Sequence, residues 1–237
     1  MVRPTKDGPR KPSGRRGLTV RVKTAKGRKL ASTRWLQRQL NDPYVEEAKR
    51  QGYRSRAAFK LIEIDDKHGL MKPGAVVIDL GAAPGGWSQV AADRVKAVDG
   101  KGRVVAADLT DIEPVPGVTF LHADITDAEA PGMLRDALAG AQADLVLSDM
   151  AASSTGHRQT DHLRVIALAE AALDIAEDLL KPGGVYLAKV LQGGAGQDLV
   201  TRLKQGFAKV QHIKPKASRQ DSAEVYVLAT GFRGASG

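Results

Sequence analysis

Ala75-Val76-Val77-Ile78-Asp79-Leu80-Gly81-Ala82-Ala83-Pro84-Gly85-Gly86-Trp87 is the stretch that decides the fold. An almost unbroken apolar run, Ala75–Leu80, reads as a strand buried on both faces, as in the middle of a parallel sheet. The glycines after it let backbone approach a ligand closely at the strand's carboxyl end, where open α/β sheets bind cofactors. The spacing is not G-x-G-x-x-G and Pro84 sits inside the turn, so a pyrophosphate cradle is a poor fit. Taken alone, a glycine-rich turn is explained as well by tight helix–strand packing.

Outward from this turn the chain alternates. Further strands are expected at Arg103–Asp108, Val118–Leu121, Asp144–Asp149, Gly184–Val190, Val210–Ile213 and Glu224–Thr230, with helices near 87–96, 127–139, 161–180 and 196–207. Strand alternating with helix predicts a doubly wound, mostly parallel seven-stranded Rossmann-like α/β sheet. Lys214–Ala223 carries no helical pattern, so the last two strands form a hairpin and one strand near the C-terminus runs antiparallel. Ahead of the first strand, Trp35–Leu40 reads as a short helix. Asp42-Pro43 begins another that Gly52 stops. Ser55 is the expected cap of a third, Arg56 to about Lys67, which Gly69 ends.

The 237 residues suffice for one domain with a tail. The net charge of +9 is concentrated at the start. Residues 1–31 hold eleven of the 36 Lys and Arg but one of the 27 Asp and Glu, leaving 25 basic against 26 acidic residues elsewhere. The expected organisation is a disordered basic tail, 1–31, ahead of one domain, 32–237. Such a tail reads as a phosphate-binding arm, as a solubility extension, or as an organellar transit segment. There is no cysteine, hence no disulfide or thiolate metal site, and a cytoplasmic location is the simplest expectation. No apolar run approaches the roughly 18–20 residues of a membrane helix. His68, His122, His157, His162 and His212 show no ligand spacing, so no metal is expected.

Acids end the second, third and fourth strands beside the glycine turn. Asp108 occupies the position from which a carboxylate reaches ribose hydroxyls, and Asp124 is placed to accept from an adenine amino group. Each alone is more readily a loop cap than a ligand; together they favour an adenosine-type ligand. Four further residues stand out. Lys60 lies one turn after Arg56, and like charges at that spacing imply a facing anion. Asp149 closes the fourth strand. Lys189 interrupts the apolar run Val185-Tyr186-Leu187-Ala188-Lys189-Val190, where a lone lysine is costly without a partner or a task. Glu224 opens the last strand. Surface charge accounts for Lys60 or Glu224 taken singly, and a structural ion pair is the alternative for Lys189.

With these residues in hand, a resemblance is visible. Ser32-Thr33-Arg34-Trp35-Leu36, Arg54-Ser55-Arg56-Ala57, Asp79 to Trp87, Ser148-Asp149-Met150-Ala151 and Glu224-Val225-Tyr226 resemble the FtsJ-type ribosomal RNA 2′-O-ribose methyltransferases, the methyltransferase E family. The likeness spans about Ser32 to Gly231 and leaves the tail outside. It implies a Lys-Asp-Lys-Glu catalytic tetrad at Lys60, Asp149, Lys189 and Glu224. It implies S-adenosylmethionine as methyl donor, with Gly81, Gly85, Gly86 and Trp87 at its methionine and sulfonium part, Asp108 and Asp124 at its adenosine, and Asp149 near the sulfonium. The implied reaction is methylation of a uridine ribose 2′-oxygen in large-subunit (23S) ribosomal RNA on the assembled 50S subunit, by a monomer whose helices at 32–69 contribute to the RNA-facing side. A transfer-RNA anticodon-loop 2′-O-methyltransferase and a non-catalytic RNA-binding protein of the same fold are the alternatives. The family commonly continues Asp-Met-Ala with Pro-Asn, whereas Ala152-Ser153 stand here.

A ribose hydroxyl is a weak nucleophile facing an activated methyl, so alignment and proton removal are the tasks. Burial and a second ammonium would make Lys189 a better base, nearby carboxylates a poorer one. Proton acceptor and hydroxyl-orienting cation therefore both remain open for it.

Overall fold

A computed structural model describes residues 33, 36–37, 39–152, 155–192, 196–220 and 222–234; of Arg158 it describes the backbone. The basic segment 1–31, Trp35 and Ser153 lie outside the described residues. The chain divides after Arg56 into two compact units.

In the first unit Leu36, Gln37, Gln39 and Leu40 are helical. Helix α1 (Pro43–Gln51) begins as its sequence dictates: Asp42 accepts from Tyr44 N at 3.1 Å, Pro43 occupies the first turn, and Gly52 closes the helix at φ +78°. Arg56 pairs with Asp42 at 2.5 Å and lies over the Tyr44 ring.

The second unit opens with α2 (Ala58–His68), which Gly69 ends in the left-handed conformation. Ser55 is not its cap. Ala57 holds the N-cap position with already helical angles, and no side chain caps the helix. Lys60 N instead closes a tight turn onto Ala57 O at 3.0 Å.

Seven strands follow: β1 (Val76–Leu80), β2 (Arg103–Asp108), β3 (Val118–His122), β4 (Ala143–Ser148), β5 (Leu180–Leu191), β6 (Phe207–Ile213) and β7 (Glu224–Phe232). Their order is β3-β2-β1-β4-β5-β7-β6, with β7 antiparallel to both neighbours and every other pairing parallel. The expected doubly wound sheet and its one antiparallel strand are both present. Strand β4 stops at Ser148, so Asp149 is the first residue beyond it. Strand β5 begins at Leu180, four residues before the expected Gly184: Leu180 pairs with Ala143, and the register then shifts across Lys181-Pro182-Gly183-Gly184, where Gly183 has φ +83°.

The connecting helices are α3 (Gly86–Val95), α4 (Ala130–Ala137), α5 (Arg158–Leu179) and α6 (Gln197–Gly206). Helix α5 starts three residues before its expected onset. His157 supplies the cap by accepting from Thr160 N, an uncommon choice for a cap and hence no signal in the sequence. Strand alternation divides the core. Ile78 and Leu80 join Leu134, Leu138, Leu173, Leu179, Leu199 and Leu203 under α4, α5 and α6. Val77 and Asp79 face the other side, where α3 packs on β1 and β2 and against α2. Buried Tyr186, Phe207 and Phe232 form an aromatic run beneath the C-terminal strands, and Tyr186 donates to Ala169 O at 2.6 Å. Burial drives the Tyr186 phenol well above its ordinary range.

Because β1 lies between β2 and β4, successive connections leave it in opposite directions. That switch point opens a crevice at the carboxyl ends of the strands. Among the described residues no helix is long and apolar enough to cross a membrane.

Candidate active site

The turn after β1 places two of its residues in backbone conformations that favour glycine. Gly81 has φ +74° and Gly85 φ +105°. A Cβ on Gly81 would run into Met150 Cγ and sit 3.1 Å from Met150 Cα, in the loop after β4. The amides of Gly81 and Ala82 both donate to Ala107 O, at 2.9 and 3.2 Å. Asp108 completes the clamp, Oδ2 accepting from Ala83 N at 2.8 Å and Oδ1 from Thr110 N at 2.7 Å. Under the turn, Asp79 is fully buried. Its Oδ2 takes a 2.6 Å bond from Ser88 Oγ, and no described residue partners its Oδ1. Burial pushes this carboxyl up to about 7 against the Ser88 bond, with the Asp149 and Asp108 carboxylates adding to the rise.

A cavity of about 830 Å³ opens beside the turn. Gly81, Asp108, Asp124 and Asp149 line it; Gly85, Gly86 and Trp87 are not among its walls, Gly85 being the N-cap of α3 and Gly86 and Trp87 its first two residues. Leu109, Ile125 and Met150 give it apolar surfaces. Asp124 binds Thr126 through Oδ1, accepting from N at 2.9 Å and from Oγ1 at 2.6 Å, while Oδ2 takes no bond from a described residue. The Thr126 bonds hold this carboxyl below the usual carboxylate range. Three carboxylates against one cation, Arg164, make the cavity a poor host for polyphosphate. They suit a ligand that carries positive charge and hydroxyl or amino donors.

Next to this cavity, at the ends of β4 and β5, four charges converge. Lys60 Nζ lies 3.3 Å from Glu224 Oε2 and 3.7 Å from Asp149 Oδ1. Lys189 Nζ lies 3.2 Å from Asp149 Oδ1 and 4.0 Å from Glu224 Oε1, and donates to Asp149 O at 2.7 Å. Both lysines are buried. Each ammonium faces both carboxylates, so the cluster is neutral overall. Removing one member would strand a buried charge at a cost of about 3–5 kcal/mol. The anions expected near Lys60 and Arg56 are different ones: Lys60 meets Glu224 and Asp149, Arg56 meets Asp42. Among the described residues, no group of three or more His, Asp or Glu is placed to hold a metal ion.

Residues 53–232 match the FtsJ-like methyltransferase family. The chain belongs to that family. The ribosomal RNA large subunit methyltransferase E of Nitrobacter hamburgensis is 61% identical to this FtsJ-like methyltransferase over 217 residues, 92% of this chain and 95% of its own length. The protein of the same name from Xanthobacter autotrophicus is 59% identical over 226 residues, 95% of this chain and 88% of its own. A crystal structure described as a ribosomal RNA methyltransferase from Plasmodium falciparum superposes with a TM-score of 0.69 at 32% identity, covering 77% of this chain and 100% of that one.

One residue in this FtsJ-like methyltransferase carries no role in the sequence reading yet sits at the centre of the cluster. Tyr226 is completely buried; its hydroxyl donates to Asp149 Oδ1 at 2.6 Å and accepts from Lys60 Nζ at 3.0 Å. The signal that locates it is alternation along a strand: Glu224 and Tyr226 are two apart on β7 and share a face. Ser88, beneath the turn, has no comparable signal, since a serine in the first turn of a helix is ordinary.

Proposed function

We propose that this enzyme transfers a methyl group from S-adenosylmethionine to the ribose 2′-oxygen of a uridine in 23S ribosomal RNA, within the assembled 50S subunit. The observation that carries the reading is the neutral Lys60–Asp149–Lys189–Glu224 cluster beside an acid-lined cavity at the switch point of a methyltransferase sheet. Relatives about 60% identical that bear the name ribosomal RNA large subunit methyltransferase E support the substrate.

The residues fit the methyl donor. Bound S-adenosylmethionine supplies a methyl already activated on a sulfonium. Asp124 offers Oδ2 to an amino or hydroxyl donor, and Asp108, held at both oxygens by backbone amides, presents its remaining lone pairs in a fixed direction. Gly81 keeps the cavity wall free of a side chain, and Gly85, Gly86 and Trp87 form the start of α3 beside it. Asp149 contributes negative charge where the cavity meets the cluster.

Lys189 is assigned to the 2′-hydroxyl as the base: its ammonium first releases a proton to solvent, and the free amine then takes up the hydroxyl proton as the oxygen bonds the methyl group. Asp149 holds Lys189 through a carboxylate oxygen and its backbone carbonyl. Lys60 and Glu224 complete the frame, Glu224 being the most exposed of the four side chains and so the one facing an incoming nucleotide. Alignment and proton transfer of this kind supply much of such a catalyst's effect. Residues 32–237 act as one monomeric methyltransferase in the cytoplasm, with helices at 32–69 turned toward RNA and the tail 1–31 binding phosphates.

The test is methylation of 50S subunits from a strain deleted for this gene, using labelled donor, with nucleoside mass analysis of the product. The expected product is 2′-O-methyluridine in 23S RNA. Label found in transfer RNA, on a base, or nowhere would overturn the assignment.

A further inference from the structure

We infer that Tyr226 is a positioning residue for methyl transfer, a hydroxyl relay that sets the orientation of both Asp149 and Lys60. This inference rests on the tetrad reading above and adds a fifth member that acts through two of the four.

The hydrogen-bond direction is fixed by chemistry. An ammonium can only donate, so the phenol oxygen accepts from Lys60 at 3.0 Å. The phenol has one proton, and it goes to Asp149 Oδ1 at 2.6 Å, a short bond of the kind a hydroxyl makes to a carboxylate. Lys189 approaches the same Oδ1 at 3.2 Å. One carboxylate oxygen therefore accepts the phenol's hydrogen bond and faces the lysine assigned to the substrate. Lys60 stays 3.7 Å from that oxygen, too far for a direct bond, and remains turned toward Glu224. Without the hydroxyl, only the 3.3 Å bond to Glu224 opposes a shift of Lys60 toward Asp149. Lys60 is then free to close on Asp149, competing with Lys189 and withdrawing from Glu224.

The relay is held rigidly. Tyr226 stands directly opposite Lys189 in the β5–β7 pairing, so the two side chains share a face. Its ring packs on Trp87 with centroids 5.6 Å apart, and the indole Nε1 donates to Ala57 O at 2.8 Å. Trp87 is the second residue of α3, immediately after the glycine turn. The aromatic pair thus joins the turn to the tetrad, and a buried ring held by its neighbours keeps the hydroxyl in one place. If it were only a core filler, its hydroxyl would need one satisfied partner; here it bridges two opposite charges of the same cluster.

The experiment compares Tyr226→Phe with wild type in single-turnover methylation of undermethylated 50S subunits, with Lys60→Met and the double variant alongside. Removing a charge-assisted bond on each side should slow the methylation step about 10- to 100-fold. Donor and subunit dissociation constants should stay within about twofold of wild type, as expected when an interaction acts only on the chemical step. The two substitutions should be strongly non-additive, because the tyrosine acts through Lys60 and Asp149. A second probe, 3-fluorotyrosine at position 226, keeps the packing and makes the phenol more acidic; it should displace the pH–rate profile. It also carries the test if the phenylalanine variant does not fold. If Lys60→Met is as active as wild type, the tetrad reading fails and this inference with it. If Lys60→Met is inactive while Tyr226→Phe turns over within twofold of wild type, or 3-fluorotyrosine leaves the profile unmoved, the tyrosine only packs and this inference alone is overturned.

Discussion

Replacing Asp79 with Asn tests the electrostatics under the glycine turn without touching the cavity wall. The carboxyl is fully buried and its pKa rises from 3.8 to about 7. A pKa raised in the folded state means that folding holds a proton the unfolded chain releases. The associated stability is complete below about pH 4 and is lost as pH climbs through about 7. Three units correspond to about 4 kcal/mol at 1.36 kcal/mol per unit. Roughly 1–2 kcal/mol of this is lost by pH 5, leaving about 3 kcal/mol to disappear between pH 5 and 8. Asparagine cannot ionise, so its stability carries no such slope, although its amide leaves an unpaired donor where Oδ1 stood, at a fixed cost of about 1–3 kcal/mol. Urea unfolding of both proteins at pH 5, 6, 7 and 8 measures the difference directly. The variant should gain on wild type by about 3 kcal/mol across that range, most steeply between pH 5 and 7. A difference constant to within about 0.5 kcal/mol would refute the reasoning, and would mean that Asp79 is charged in the folded protein throughout.

Three other outcomes are expected. Lys189→Met, which keeps most of the side-chain volume, should cut single-turnover methylation by at least the hundredfold to ten-thousandfold typical of a lost general base. Its titrated affinity for S-adenosylmethionine should be unchanged, and near-normal turnover would make the lysine structural. Gly81→Ala forces a side chain into positive φ against Met150 and should lower the melting midpoint by roughly 3–8 °C. The same variant should weaken donor binding by calorimetry, and native affinity would mean the turn is not a cofactor wall. Deleting residues 1–31 should flatten the dependence of log RNA affinity on log salt and leave donor binding intact, whereas an unaltered slope would return the tail to a solubility role.

The sheet was legible because its evidence is periodic. Continuous apolar runs at 76–80, 143–148 and 185–190 cannot sit on a surface, and helices between them leave few ways to connect parallel strands. Strand ends were less legible: Pro182-Gly183 reads as a loop, yet β5 already pairs at Leu180, with a register shift before Val185. Helix onsets failed where the cap was unconventional, at Ala57 and at His157. In the site, Lys189 announced itself by its cost in an apolar strand. Lys60 was marked only by its spacing from Arg56 and Glu224 only by its place at the start of a strand, and either taken singly is an everyday surface residue. Only tertiary structure brings them within 3.3 Å across 164 residues of chain. Tyr226 was hidden differently: a tyrosine in a strand has an obvious structural use, and alternation with Glu224 places it on the right face without revealing that its hydroxyl bridges two charges.

The placement of β7 has a bearing on when the molecule can work. Lys60, Asp149 and Lys189 belong to elements that emerge early or midway through synthesis, but Glu224 and Tyr226 ride on the last strand, which slots between two strands made before it. Until that insertion, β5 presents an open edge carrying a buried-type lysine with one carboxylate fewer to face it. A nascent chain stopped short of residue 224 can wind most of the sheet and form the wall of the cavity, yet its two ammonium groups share one acid. The charge cluster therefore cannot be complete until Glu224 and Tyr226 have been made and β7 has entered between β5 and β6.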